Sequence, residues 1–381
     1  MSKIYIVAAK RTPQGRFMGA LTKRSALDLA VAAAQSALKD IGAAKIDQVI
    51  IGNVLSAGRG MNIARQIAIK VGVPLERTAF TVNMMCASGM QAVILAVQAI
   101  NAGEASVVLC GGTESMSNAP YLLERARTGY KLGDGVLVDT LLRDGLVDSF
   151  DNEHMGLSAE RLAEQYKIGR SAQDKFAAQS QTKYFQAYSK GLFVDELVIL
   201  PELDKDEHPR SDATVEQLAT LKPAFKKDGT VTPGNASGIN DGATMLVVCD
   251  EKSAAENNWK PLAEISGWAN AGCDPKMMGL GPVYAVQKLC EQMKVGVEAF
   301  DTVELNEAFA VQSLACIQEL KLDETRVNPE GGAIALGHPI GASGARILVH
   351  LAHRVSQGLT KHGLATLCVG GGMGSAVALR K

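Results

Sequence analysis

Aromatic side chains are scarce in this chain, at 5% of its 381 residues, whereas glycine occurs 38 times. A core short of large rings is built from close-packed Ala, Gly and Val on strands and helices, and a composition 47% hydrophobic and 21% charged excludes a fibrous or disordered chain. Neither sign of charge prevails. A net charge of -1 leaves no basic stripe for nucleic acid, although a small phosphorylated ligand needs only two or three Lys or Arg. Long apolar runs are missing too: stretches such as Ala92 to Ile100 fall far short of the roughly 20 residues that span a bilayer, so no membrane partner is expected. The seven cysteines, at 86, 110, 249, 273, 290, 316 and 368, lack paired short spacings. That pattern excludes a disulfide framework and a zinc site and fits reduced thiols in a reducing compartment. Met1-Ser2-Lys3 runs straight into Ile4 to Ala9 without a secretory h-region, so a cytoplasmic location is expected.

What is present is organised around Thr81 to Ala92. Phe80 to Asn83 reads as the end of a strand and Met90 to Ile100 as a helix, which puts Cys86 at or just before a helix start. Free N–H groups there favour a thiolate and lower a cysteine pKa from its usual ~8.5. Small Ala87, Ser88 and Gly89 leave room for a ligand at the sulfur. The competing reading is one more buried cysteine packed as a small hydrophobe.

Strands and helices alternate from Ile4 to Gly111, which implies parallel pairing in a sheet covered on both faces. At 381 residues two or three domains are expected. The first is an α/β half over 1–118, completed by a strand at about 243–249. The second, 119–242, is a polar, loop-rich insertion around two helices, near Gly156 to Gln165 and Ala172 to Lys190, and such excursions carry binding residues. The third, 259–381, repeats the first. Val82-Asn83, Ala87-Ser88-Gly89, a helix and strand Val107 to Cys110 before Gly111-Gly112 are mirrored by Val327-Asn328, Ala342-Ser343-Gly344, a helix and strand Ala365 to Cys368 before a glycine run. A duplicated α/β fold with a pseudo-twofold axis follows, and two equivalent helix N-termini should converge on one site.

The polar residues worth weighing lie in Asn306-Glu307-Ala308-Phe309, in Gly337-His338-Pro339-Ile340-Gly341 and in Cys368-Val369-Gly370-Gly371-Gly372-Met373-Gly374. Two thiols, an imidazole and an amide suit acyl transfer with carbon-acid chemistry: one thiol carries an acyl group, the other moves a proton beside a carbonyl, and N–H donors hold the oxyanions. The glycine run lacks the Lys-Ser/Thr of a nucleotide-binding loop.

These blocks, with Val82-Asn83-Met84-Met85-Cys86-Ala87-Ser88-Gly89 and Gly331-Gly332-Ala333-Ile334-Ala335-Leu336-Gly337-His338-Pro339, resemble in order the four active-site motifs of the thiolases, and the match runs essentially from end to end. The resemblance implies layered α-β-α-β-α halves with a loop-domain insertion. It makes Cys86 the acylated nucleophile, Cys368 the acid/base, and His338 a partner of Cys86. His338 would share one oxyanion hole with a water held by Asn306, and the N–H groups of Cys86 and Gly370 would form the other. Asn152-Glu153-His154-Met155-Gly156 and Asp144-Gly145-Leu146 resemble the biosynthetic, acetoacetyl-CoA branch. In that branch Arg210, Phe225 and Ser237 match positions that contact coenzyme A. His154, Met155, Leu146 and Met278 would line the acyl pocket beside Ala308 and Phe309. The resemblance also implies a homotetramer, with Leu122 to Val138 as the loop joining dimers, and coenzyme A as substrate or product with no cofactor and no metal.

Met84, Tyr284 and Lys222 stand where the family commonly has a polar residue, Pro and Arg. Cys110, Cys249, Cys273, Cys290 and Cys316 read as structural, and His350 and His353, spaced i, i+3, as an exposed helix face without a third metal ligand. The implied reaction is reversible condensation of two acetyl-CoA to acetoacetyl-CoA and coenzyme A. Alternatives are a broader 3-ketoacyl-CoA thiolase of fatty-acid β-oxidation, a condensing synthase, which would lack the second thiol, and a non-catalytic acyl-CoA carrier, which would lack Cys86, His338 or Cys368.

Overall fold

The computed structural model describes residues 3–381. Its first half places the strands Thr78–Val82, Gln48–Gly52, Val107–Ser115, Asn240–Asp250 and Ile4–Arg11 side by side in that order. The second half continues the sheet with Ala263–Gly272, Met373–Arg380, His362–Val369 and Thr302–Leu305. Within the sheet the halves meet where Tyr5 lies opposite Glu264 and Ile6 opposite Ala263. The inferred duplication holds strand by strand, because order and sense match on either side of that seam. Even the short edge has its counterpart, since Val303 bridges to Val327 in parallel where Gln48–Gly52 pairs with Thr78–Val82.

Pairing is mixed and not wholly parallel. Gln48–Gly52 runs parallel to both its neighbours, but Asn240–Asp250 is antiparallel to Val107–Ser115 and to Ile4–Arg11. The second half shows why: there the equivalent antiparallel strands, His362–Val369 and Met373–Arg380, are joined directly by the glycine turn, whose Gly371 and Gly372 take φ of 86° and 79°. In the first half the same connection is opened to hold the whole insertion. Insertion and glycine turn therefore leave the sheet at equivalent ends.

Between the two sheet halves lies a central pair of helices, Ser88–Asn101 and Ile340–Ser356. Both helices share a core with strands of either half, through Val93, Ile94, Leu348, Leu351, Val108 and Leu367. Each fully buried Leu or Ile there contributes about 1.5–3 kcal/mol. Small residues let the helices touch: a Cβ on Gly89 would sit 2.9 Å from the carbonyl oxygen of Gly341. Outer helices cover the far faces. Ala26–Ala37, with its capping box between Ser25 and Asp28, and Ile63–Lys70 cover the first half. Gly281–Met293 and Ala310–Leu320 cover the second, where the insertion helices Met155–Tyr166 and Arg170–Ser189 also pack. The layering is α-β-α-β-α with the insertion at one end.

His350 and His353 are buried and not an exposed face. The central helix has no solvent side, so its i, i+3 polar residues are drawn into an internal network. His350 bonds Glu196 at 2.8 Å and Glu330 at 3.2 Å, and His353 bonds the Ala9 carbonyl at 2.9 Å. Among the described residues no helix is long and apolar enough to cross a membrane.

Candidate active site

Cys86 sits on a tight turn between Thr78–Val82 and the first central helix. Met85 is forced to φ 48°, a left-handed conformation that a non-glycine residue adopts only when its surroundings hold it. Here they do: Asn83 Oδ1 accepts from Met85 N–H at 2.9 Å, and Ser88 Oγ accepts from Met84 N–H at 2.9 Å and donates to the Met85 carbonyl at 2.6 Å. The turn pushes the thiol into a cavity of about 590 Å³.

The second central helix delivers the imidazole. Gly337 takes φ 103° and His338 follows it, its N–H donating to Asn240 Oδ1 at 2.9 Å. Glu114 accepts from Gly341 N–H at 3.1 Å, from Val54 N–H at 3.0 Å and from Leu55 N–H at 3.1 Å. One carboxylate thereby ties the start of the His338 helix to the loop beneath the Cys86 turn. Cys368 ends its strand against the glycine turn and is buried.

The electrostatics correct one expectation. Burial pushes the Cys86 thiol up to about 11, outweighing the N–H groups of Gly370 and of Cys86 itself that are directed at the sulfur and favour the thiolate. At neutral pH the resting group is a thiol. His338 is driven the other way, to about 4, by burial and then by the nearby Arg346 guanidinium. A thiol and an imidazole, both kept neutral by burial, thus line the same cavity. Burial, then the neighbouring Cys86, holds the Cys368 thiol well above its ordinary value.

Thirteen of the fourteen residues expected from sequence line this one cavity: Cys86, His338, Cys368 and Gly370, with Leu146, His154, Met155, Arg210, Phe225, Ser237, Met278, Ala308 and Phe309. Asn306 is not among the lining residues; it is fully buried, and its carboxamide makes no hydrogen bond among the described residues. His154 stacks on Phe225 with ring centroids 4.6 Å apart, and Phe225 meets Phe309 edge-on at 6.3 Å. Ser237 N–H donates to the Ala308 carbonyl at 2.9 Å, which knits the insertion to the motif that carries Asn306.

Sequence reasoning missed Arg16, His208, Met85, Met116 and Ile340, which also line the cavity. Arg16 and Arg210 line the cavity with no carboxylate paired to either guanidinium among the described residues, and each disfavours the charge of His208, which burial already holds down to about 4. No spacing in the chain links positions 16, 208 and 210. Met116 and Ile340 pack with Met85, Cys86 and Leu146 in one small apolar cluster beside the nucleophile.

Glu304, Glu330 and His350 bring possible metal-ligand atoms within 4.8 Å of one another, a set the sequence did not suggest. The place of a cation is taken there. His350 is held protonated up to about 10, with Glu196 the largest favourable influence, and Arg354 and Arg346 stand against Glu330 and Glu304.

Known proteins resemble this chain over its full length. The family models for the thiolase N-terminal domain and the thiolase C-terminal domain match residues 4–252 and 259–381. An acetyl-CoA acetyltransferase of Chromobacterium violaceum is 48% identical over 390 residues, covering 100% of both chains. The crystal structure of the Bacillus anthracis acetyl-CoA acetyltransferase superposes with a TM-score of 0.97 at 43% identity, covering 100% of this chain and 99% of that one. Human mitochondrial 3-ketoacyl-CoA thiolase in complex with CoA also gives 0.97 at 43%, covering 100% and 98%.

Proposed function

Because the chain belongs to the thiolase family and is an acyltransferase, we propose that it catalyses the reversible condensation of two acetyl-CoA to acetoacetyl-CoA and coenzyme A through an acyl group carried on Cys86. The observation that carries this reading is the meeting of two thiols and one neutral imidazole in a single cavity, with the Cys86 and Gly370 N–H groups aimed at the nucleophilic sulfur.

In the thiolysis direction, Cys86 Sγ attacks the 3-keto carbon while its proton passes to His338 Nε2. The N–H pair stabilises charge as it develops on oxygen. Cleavage of the carbon–carbon bond releases the enolate of acetyl-CoA, which takes a proton from Cys368. A Cys368 thiol held well above its ordinary pKa is in the protonated form that this step requires. Coenzyme A then attacks the acyl-Cys86, its thiol proton restores Cys368, and the His338 proton returns to Cys86 as the acyl group leaves. Condensation is the reverse.

Leu146, Met155, Met278 and Met116 crowd the acyl end, which favours an acetyl or acetoacetyl group over long chains. His154, Phe225, Ser237 and Arg210 line the path on which the pantetheine and phosphates of coenzyme A would lie. A broader 3-ketoacyl-CoA thiolase is the second reading, favoured by the equal overall likeness to a thiolase of that name. A steady-state thiolysis assay across acyl lengths decides between them: a steep fall beyond acetoacetyl-CoA supports the first, a flat profile the second.

A homotetramer in the cytoplasm completes the reading. Thr78–Val82 is an unpaired sheet edge carrying Phe80 at 38% exposure, suited to pairing with another copy, and the hairpin of Tyr121–Leu123 with Leu137–Asp139 projects exposed Tyr121, Leu132 and Val136. Light scattering would measure the assembly.

A further inference from the structure

His338 makes one side-chain hydrogen bond, from Nδ1 to Ser343 Oγ at 2.7 Å, and the same hydroxyl lies 2.9 Å from the Pro339 carbonyl, to which it donates. A hydroxyl has one proton. If it is given to Pro339, the oxygen is an acceptor toward Nδ1, and the ring proton of neutral His338 must sit on Nδ1. The opposite arrangement would leave an N–H on Nε2, a buried atom with no protein partner, and remove the hydroxyl from Pro339.

From this geometry we infer that Ser343 is a positioning residue that sets the tautomer of His338, leaving the Nε2 lone pair open toward the reacting sulfur. This rests on the proposed function, whose mechanism needs that lone pair. When Cys86 Sγ attacks a thioester, the new C–S bond forms, the carbonyl electrons move to oxygen, and the S–H proton passes to Nε2. Nδ1 keeps its proton. The resulting imidazolium donates from Nδ1 to Ser343 and from Nε2 toward the oxyanion. Collapse breaks the C–S bond to coenzyme A, whose thiolate takes the Cys368 proton, while His338 holds its own until Cys86 is released. Without the Ser343 oxygen the ring loses its preference for Nδ1–H, and its imidazolium loses an acceptor.

The other titratable groups facing His338 do not bond its ring. They are Arg346 on the same helix, Cys86 and Cys368 across the cavity, Glu114 at the helix start, and His208, which Asn240 Nδ2 approaches at 3.2 Å. Ser343 is fully buried and lies five residues after His338. Ser343 is not itself a cavity-lining residue, so its substitution removes no group from the cavity wall.

The test is nitrogen-15 NMR of the histidine-labelled full-length protein, with pre-steady-state acylation by acetyl-CoA, on wild type, Ser343→Ala and Ser343→Thr. The expected result is a wild-type His338 with a protonated Nδ1 and a bare Nε2 near neutral pH. Ser343→Ala should mix the tautomers and slow acylation about 10- to 100-fold, with the acid limb of its pH profile moved, while Ser343→Thr restores both. A wild-type ring protonated on Nε2 overturns the inference, as does a Ser343→Ala protein with unchanged tautomer and rate. Should Ser343→Ala not fold, the wild-type spectrum alone decides. A wild type that never acylates would sink the proposed function instead, while the tautomer remained measurable.

Discussion

His154 lies face to face with Phe225, ring centroids 4.6 Å apart and planes 24° from parallel, and the backbone of Gly156 passes directly beneath. A Cβ on Gly156 would come within 2.3 Å of the Phe225 ring, so the stack requires a glycine at 156. Phe225→Ala should raise the KM for acyl-CoA about 2- to 10-fold, the range expected for losing one aromatic stack, and leave kcat nearly unchanged. A fall in kcat with constant KM would place Phe225 outside the binding path. Gly156→Ala should do more damage, because the ring must move.

The network around His350 predicts how stability depends on pH. Its carboxylate partners hold His350 protonated up to about 10 in the folded protein, against an ordinary value of 6.5. A raised pKa contributes stability that is complete below the unfolded value and is lost as pH climbs through the folded one. Chemical denaturation of the wild type should therefore weaken steadily between about pH 6.5 and 10, and His350→Gln should be less stable at neutral pH and flatter over that window. Parallel curves for both proteins would remove His350 from the account.

Cys86 reactivity follows from the thiol–imidazole pair. A thiol held up to about 11 is inert by itself, but proton transfer to neutral His338 during attack makes it competent. Limited iodoacetamide treatment followed by mass mapping should label Cys86 ahead of the other six cysteines, and His338→Ala should abolish that lead. Labelling of Cys249 or Cys316 first would sink the nucleophile assignment.

On the proposed reading, Met155, Met278 and Leu146, which line the cavity, set the chain length. One methylene in such a pocket is worth about 1–3 kcal/mol, so kcat/KM should fall in graded steps from acetoacetyl-CoA to the 3-ketooctanoyl substrate. Met155→Ala or Met278→Ala should soften the fall. Met116→Ala extends the test to a wall residue that the motifs did not mark.

Much of this was legible in the chain because the duplicated half writes the same elements twice. Val82-Asn83 before Cys86 and Val327-Asn328 later share one pattern, and the glycine run beginning at Gly370 marked a backbone turn that needs positive φ at Gly371 and Gly372. What escaped was set by distance in three dimensions. Arg16, His208 and Met116 join the cavity from separate segments of the chain, and no periodicity links them. The burial of His350 was hidden because a helix layered between two sheet halves has no polar face for its spacing to reveal. The Cys86 pKa was misjudged for a related reason: a helix N-terminus favours the thiolate, but the enclosure that forms the cavity costs the charge more.

The central claim is a division of labour between two thiols, and Cys368→Ala tests it most directly. Incubated with acetyl-CoA, this variant should still gain one acetyl group on Cys86 in the mass spectrum, because nucleophile, His338 and N–H donors remain. Its steady-state condensation and thiolysis should fall by about 10²- to 10⁴-fold, the usual contribution of a positioned proton-transfer group. A Cys368→Ala protein that acetylates Cys86 and also turns over at near wild-type rate would contradict the two-thiol mechanism.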